Sequence, residues 1–150
     1  MEATKRARIM IVEDDDDARY ALRVRLRASG YDPVTAPNAL YAMRLAQRES
    51  VDLVVLDLGL PDVDGIGLLR ELHGEPSLAN VPVVVVTARD AATAAVAAHE
   101  AGAFAFLQKP VETQVLKETI SRALFFRRVG ALRGGVLPPA ERPAPLGAGQ

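Results

Sequence analysis

Five acids in a row, Glu13-Asp14-Asp15-Asp16-Asp17, follow the apolar run Ile9-Met10-Ile11-Val12. A single acid, Asp57, follows Val51-Asp52-Leu53-Val54-Val55-Leu56. Thr87 follows Val81 to Val86, and Lys109-Pro110 stand just past Ala103-Phe104-Ala105-Phe106-Leu107. Carboxylates gathered in one place repel one another and raise their own pKa values. A hard divalent cation relieves that repulsion, and oxygen donors in an octahedral set suit Mg2+. A hydroxyl and an ammonium sit oddly in a pure metal site. They suit an arriving anionic group, such as a phosphoryl, which needs donors. Taken singly, each residue has a plain structural reading. Asp15, Asp16 and Asp17 read as a solvated cap that favours the dipole of a following helix. Asp57 alone suits a turn, Thr87 a helix cap and Lys109 a solvated surface. Glu13 and Asp14, directly at the end of their run, are assigned to chemistry.

The elements that must position these residues are legible as a pattern. The four runs are short, dense and rich in β-branched residues, which suits strands buried on both faces of a parallel sheet. A weaker run, Tyr31-Asp32-Pro33-Val34-Thr35, contains a proline that cannot donate to a ladder, so it belongs at an edge. Between the runs lie helical stretches: Ala18 to Ser29, Asn38 to Gln47, Ile66 to His73, Ala91 to Ala101 and Thr113 to Phe126. Gly30, Gly74 and Gly102 supply stops. Strand and helix alternate five times, which predicts an α/β domain with a doubly wound parallel sheet and helices on both faces. In such sheets ligands bind beyond the carboxyl ends of the strands. That is where the acids, the threonine and the lysine fall.

Composition narrows the function class. The 150 residues carry a net charge of −1 and no cysteine. That charge argues against nucleic-acid binding by bulk electrostatics. The missing cysteine excludes thiolate metal sites, disulfides and cysteine nucleophiles. No apolar run approaches the length of a membrane span, and Met1 to Arg8 lacks the apolar core of a signal peptide. A cytoplasmic protein is expected. From Val129 onward the chain turns rich in glycine, proline and alanine, and residues 129–150 read as a flexible tail or linker behind a domain at 1–128.

The segments Ile11-Val12-Glu13-Asp14-Asp15, Asp52 to Gly65, Val85-Val86-Thr87-Ala88, Gly102-Ala103 and Phe106-Leu107-Gln108-Lys109-Pro110 together resemble the receiver domain of bacterial two-component response regulators. The resemblance runs from about Ala7 to Arg128. It implies a flavodoxin-like fold with five parallel strands in the order 2-1-3-4-5 and five helices. It implies that Asp57 is the phosphoacceptor. Asp14, Asp57 and the backbone carbonyl of Gly59 would bind Mg2+ directly, with Mn2+ able to substitute, and Glu13 would act partly through water. Thr87 and Lys109 would bind the phosphoryl oxygens. Thr87 and Phe106 would form the switch, and Pro110 would follow a cis peptide bond.

The same resemblance implies partners. The donor is a sensor histidine kinase or a histidine phosphotransfer protein. The basic ridge Arg19, Arg23 and Arg27 on the first helix is expected to meet its helical domain. A downstream protein target is expected on the face made by helix 4, strand 5 and helix 5, with no direct contact to nucleic acid or membrane. Winged-helix DNA-binding regulators usually place an acidic pair before the switch aromatic and an arginine on the fifth helix. Here Phe104-Ala105 and Thr119 stand at those positions. Catalysis is confined to transfer onto Asp57 and its reversal by water, so the chain is not expected to be an enzyme in its own right.

Other readings fail on particular residues. A haloacid-dehalogenase-like phosphatase needs an acid at position 59, where Gly59 stands. A dinucleotide fingerprint beginning Gly65-Ile66-Gly67 lacks its third glycine, because Arg70 occupies that place. His73 and His99 read as isolated surface residues. A stand-alone receiver is expected. The alternative is the N-terminal receiver of a longer regulator, with a DNA-binding or enzymatic output domain beyond Gln150.

Overall fold

The computed structural model describes residues 5–60, 63–88 and 90–139. Pro61 and Asp62, within the motif after Asp57, and the tail from residue 140 lie outside the described residues. Five strands, β1 (Arg8–Val12), β2 (Asp32–Ala36), β3 (Leu53–Leu56), β4 (Val83–Thr87) and β5 (Ala105–Gln108), form one parallel sheet in the order β2-β1-β3-β4-β5. They alternate with α1 (Asp16–Ala28), α2 (Ala39–Arg48), α3 (Gly65–Gly74), α4 (Ala91–Glu100) and α5 (Thr113–Arg128). The doubly wound fold and strand order expected from the sequence are those observed. Pro33 lies on the edge strand β2, opposite Ile9 of β1. A short 3-10 turn at Pro76–Leu78 had no sequence reading.

Successive strand residues point to opposite faces, and this divides the core in two. Ile9, Ile11, Leu53, Val55, Val84 and Val86 pack on α1 and α5 through Leu22, Leu26, Leu116 and Ile120. Met10, Val12, Val54, Leu56, Val83 and Val85 pack on α2, α3 and α4 through residues such as Leu45, Leu69, Leu72 and Ala98. The central strands β3 and β4 are therefore buried at every position, which is why their runs lack polar alternation. Side chains at the helix starts accept orphan N–H groups. Asp15 accepts from Ala18, Asn38 from Tyr41 and Asp64 from Ile66. Gly65 is required by packing. A Cβ there would stand 2.4 Å from the Leu58 Cα, so α3 can begin directly against the loop that carries Asp57.

The register sets the strand ends level. Val12 pairs with Leu56, and Leu56 with Val85. Among the described residues no helix is long and apolar enough to cross a membrane.

The segment after α5 differs from a solvated tail over residues 129–139. Leu132 and Leu137 are buried. Arg133 and Val136 pair across a tight turn, and the Gly135 N–H donates to Asn80 Oδ1 at 3.0 Å. Gly134 and Gly135 adopt φ of 61° and 82°, which glycine permits without strain. Two isolated leucines thus anchor a stretch whose average composition looks incapable of packing. His73 is a second departure. Its ring lies against Gly102 and Gly135, and Nε2 is 3.1 Å from the Val81 carbonyl oxygen, so it is half-buried rather than a free surface residue.

Candidate functional site

The level strand ends bring the acids together. Beyond β1, the Glu13 N–H continues the ladder to the Ala36 carbonyl at 3.1 Å, and the Asp57 N–H donates to Val12 at 3.0 Å. The second bond continues the β1–β3 register, in which Val12 faces Leu56, and so sets residues 13 and 57 side by side. Glu13, Asp14 and Asp57 each present a carboxylate oxygen within 4.8 Å of the others. The Lys109 N–H donates to the Thr87 carbonyl at 2.8 Å, which brings the β5 end against β4. The Lys109 ammonium then reaches across the sheet to Asp57 Oδ2 at 3.1 Å and to the Glu13 carboxylate. The Lys109–Pro110 peptide bond is cis.

The three carboxylates differ in their surroundings. Glu13 keeps 2 % of its side-chain exposure and Asp57 keeps 12 %, whereas Asp14 is exposed. Burial raises the Glu13 pKa above the usual carboxylate range, and the Asp57 charge adds to this, although Lys109 pulls the other way. Asp57 is shifted oppositely. Burial would raise its pKa, but the Gly59 N–H, the Thr87 hydroxyl and the Lys109 ammonium outweigh it and hold the carboxyl low. The Gly59 N–H donates to Asp57 Oδ1 at 2.9 Å. Lys109 is held protonated: burial opposes its charge, and Glu13 and Asp57 more than compensate. The result is an ionised, hydrogen-bonded Asp57 beside a second buried acid that is costly to ionise. This donor set fits a hard cation, because it offers only oxygen ligands, excess negative charge and one exposed carboxylate.

The remaining expected residues fall nearby. Thr87 ends β4 and is buried. Phe106 lies opposite Val85 on β5, half-buried against the core layer of α2 to α4. Asp15 caps α1 and Asp16 pairs with Arg19 at 2.6 Å, so these acids serve the helix start. Arg19 corrects the ridge reading. It keeps 20 % of its exposure, and Nη1 donates to the carbonyls of Glu13 and Asp14 at 2.9 and 3.3 Å. Only Arg23 and Arg27 of the three stand exposed. Sequence reasoning missed Arg19 because its partners are main-chain oxygens, which leave no mark in residue type. On the far face Thr119 is buried, its hydroxyl bonded to the Val115 carbonyl at 2.8 Å. Phe104 is half-buried, with its ring 6.5 Å from that of Phe126.

Comparison with known proteins agrees with this geometry. The transcriptional regulatory protein GlrR of Escherichia coli is 38% identical over 121 residues, covering 80% of this chain and 27% of that protein. The chain thus spans about a quarter of the length of that relative. Protein PilH of Pseudomonas aeruginosa is 33% identical over 118 residues, covering 79% of this chain and 98% of PilH. The crystal structure of the receiver domain of sensor histidine kinase PA1611, from Pseudomonas aeruginosa, superposes with a TM-score of 0.74 at 26% identity. It covers 81% of this chain and 99% of that one, and it holds a magnesium ion coordinated in its active site cleft. Residues 9–121 match the family described as the response regulator receiver domain, and the chain belongs to that family.

Proposed function

We propose that Asp57 is the phosphoacceptor of a two-component relay. Receiver domains are signalling domains that interact with histidine kinases or phosphotransfer proteins and with downstream effectors. The observation that carries the assignment is convergence. Lys109 and the Thr87 hydroxyl both act on the Asp57 carboxylate, at a strand end where two further carboxylates stand within 4.8 Å. An Asp57 carboxylate oxygen attacks the phosphorus of a phosphohistidine. A P–O bond forms, the P–N bond breaks, and the imidazole leaves with its electron pair and takes up a proton. Both reactants are anionic, so the work of the site is positioning and charge neutralisation. Asp14, Asp57 and the Gly59 carbonyl would hold Mg2+ or Mn2+, with Glu13 assisting through water. The cation supplies electrostatic stabilisation of the phosphoryl oxygens. Lys109 offers its ammonium to one of those oxygens and Thr87 its hydroxyl to another. Water later hydrolyses the acyl phosphate and restores Asp57.

The reading extends to partners. Drawing Thr87 toward a phosphoryl group frees space beside β4 and β5, and Phe106 is the side chain available to fill it. This would carry the signal to the face of α4, β5 and α5, where Val96 stands 59 % exposed. Arg23 and Arg27 on α1 remain for the phosphodonor protein. Charge reversal at Arg23 should slow transfer from that protein more than transfer from acetyl phosphate. Equal slowing would remove the docking role.

The main test is chemical. Acetyl phosphate with Mg2+ should label the wild-type chain and fail to label Asp57→Asn. Continued labelling of that variant, with the phosphate mapped elsewhere, overturns the assignment.

A further inference from the structure

Arg19 stands in the first turns of α1, near the positive end of the helix dipole, where that dipole disfavours a cation. Its contacts account for it. One nitrogen of the fork donates to the carbonyl oxygens of Glu13 and Asp14 at 2.9 and 3.3 Å. The other donates to the Asp16 carboxylate at 2.6 Å. The side chain is four-fifths withdrawn from solvent to make these bonds. β1 ends at Val12, so residues 13 and 14 lie past the regular strand. They are nevertheless the two residues whose side chains must meet Asp57.

We propose that Arg19 is a positioning residue for the cation site. Its planar fork fixes the backbone of Glu13 and Asp14, and so aims their carboxylates at Asp57. This rests on the reading of the acidic cluster as a cation site. Arg19 also brings a positive charge to the acidic loop, and that charge alone opposes a cation. Positioning strengthens cation binding and charge weakens it, so the two roles have opposite signs and one titration separates them. A lysine keeps the charge but replaces the two-nitrogen fork that reaches both carbonyls and the carboxylate with a single ammonium.

The experiment is calorimetric titration of Mg2+ into the full chain and into three variants: Arg19→Gln, Arg19→Lys and Arg70→Gln. The last removes the same charge from an exposed position on α3. Both Arg19 variants should bind Mg2+ roughly tenfold more weakly, the lower end of the loss seen when a group that orients a metal ligand is removed. Arg70→Gln should bind like the wild type. Circular dichroism melts establish that each variant is folded at the titration temperature. If Arg19→Gln does not fold, Arg19→Lys decides the matter. Wild-type or tighter affinity in Arg19→Gln overturns the inference, as does wild-type affinity in Arg19→Lys. A flat wild-type titration overturns the cation site itself, and the role of Arg19 with it.

Discussion

Each end of the sheet carries a knot of charged side chains, and the two are built differently. At the N-terminal end Arg8 reaches Asp32 at 3.0 Å and Glu49 at 2.6 Å. The Arg8 N–H donates to one oxygen of Asp52, and Arg127 from α5 reaches the other, both at 2.8 Å. Every acid there has a donor and every side chain keeps between 28 and 40 % of its exposure. At the C-terminal end one ammonium serves Glu13 and Asp57 together, with Asp14 beside them. Those two acids are nearly dry. The first knot staples β1, β2, β3, α2 and α5 and leaves no acid without a donor. The second concentrates like charge where water cannot screen it. Strained charge in a buried cluster marks a functional site more often than a structural one.

The largest expected break in this comparison is loss of the cation response. A ligand that binds only the native state raises the melting temperature. Mg2+ should therefore raise the Tm of the wild-type chain, and Asp14→Ala should abolish the shift. The same substitution removes one of three crowded acids, so the Tm without cation should equal or exceed that of the wild type. A Mg2+-induced shift surviving in Asp14→Ala contradicts the role of Asp14.

The second break removes the shared ammonium. With Lys109 present, the folded pKa of Asp57 lies below its unfolded value. That difference contributes stability above the ordinary carboxylate range and is lost as the pH falls through the lowered value. In Lys109→Met, Glu13 loses the partner that restrains its already raised pKa and rises further, while Asp57 loses one of the donors that hold its pKa low. The Glu13 part has the opposite sign to that of Asp57: its stability is present below the ordinary carboxylate range and is lost as pH rises through the raised value. Lys109→Met should melt well below the wild type at pH 7.5, by about 2 kcal/mol after discounting the cost of breaking a fully buried pair. That deficit should be smaller at pH 5, where Glu13 is more readily protonated. A deficit equal at both pH values breaks the comparison, because it would mean Lys109 contributes packing alone.

Much of the site was legible because strand ends are. Dense apolar runs mark the strands, parallel topology puts their carboxyl ends at one edge, and the polar residues within one or two positions of each run's end are then site candidates. Glu13, Asp57, Thr87 and Lys109 follow from that reasoning. Arg19 does not, because its role is set by two carbonyl oxygens. The packing of residues 129–139 was hidden for a related reason. Leu132 and Leu137 are single anchors among glycines and prolines, and an average over 22 residues dilutes them below notice. His73 needed both that segment and Gly102 in place before its surroundings could be known. Thr119 is buried on α5, because its short side chain turns back to bond the Val115 carbonyl of its own helix.

The N-terminal knot sharpens the comparison through smaller effects. Arg8→Met removes two ion pairs on part-exposed groups and should lower the denaturant midpoint only slightly. Arg127→Gln is milder still. It removes one pair, 2.8 Å long, between side chains that each keep about a third of their exposure. Exposed pairs of that kind contribute roughly 0.2 to 1 kcal/mol, and salt screens them. The melting temperature of Arg127→Gln should fall by no more than a few degrees at low ionic strength, and the difference should shrink in 0.5 M salt. Acetyl phosphate labelling of Asp57 should be unchanged, because the pair lies at the opposite end of the strands from the acids. Slower labelling at an unchanged melting temperature would show that the two ends are coupled through α5, and that the N-terminal knot is more than a staple.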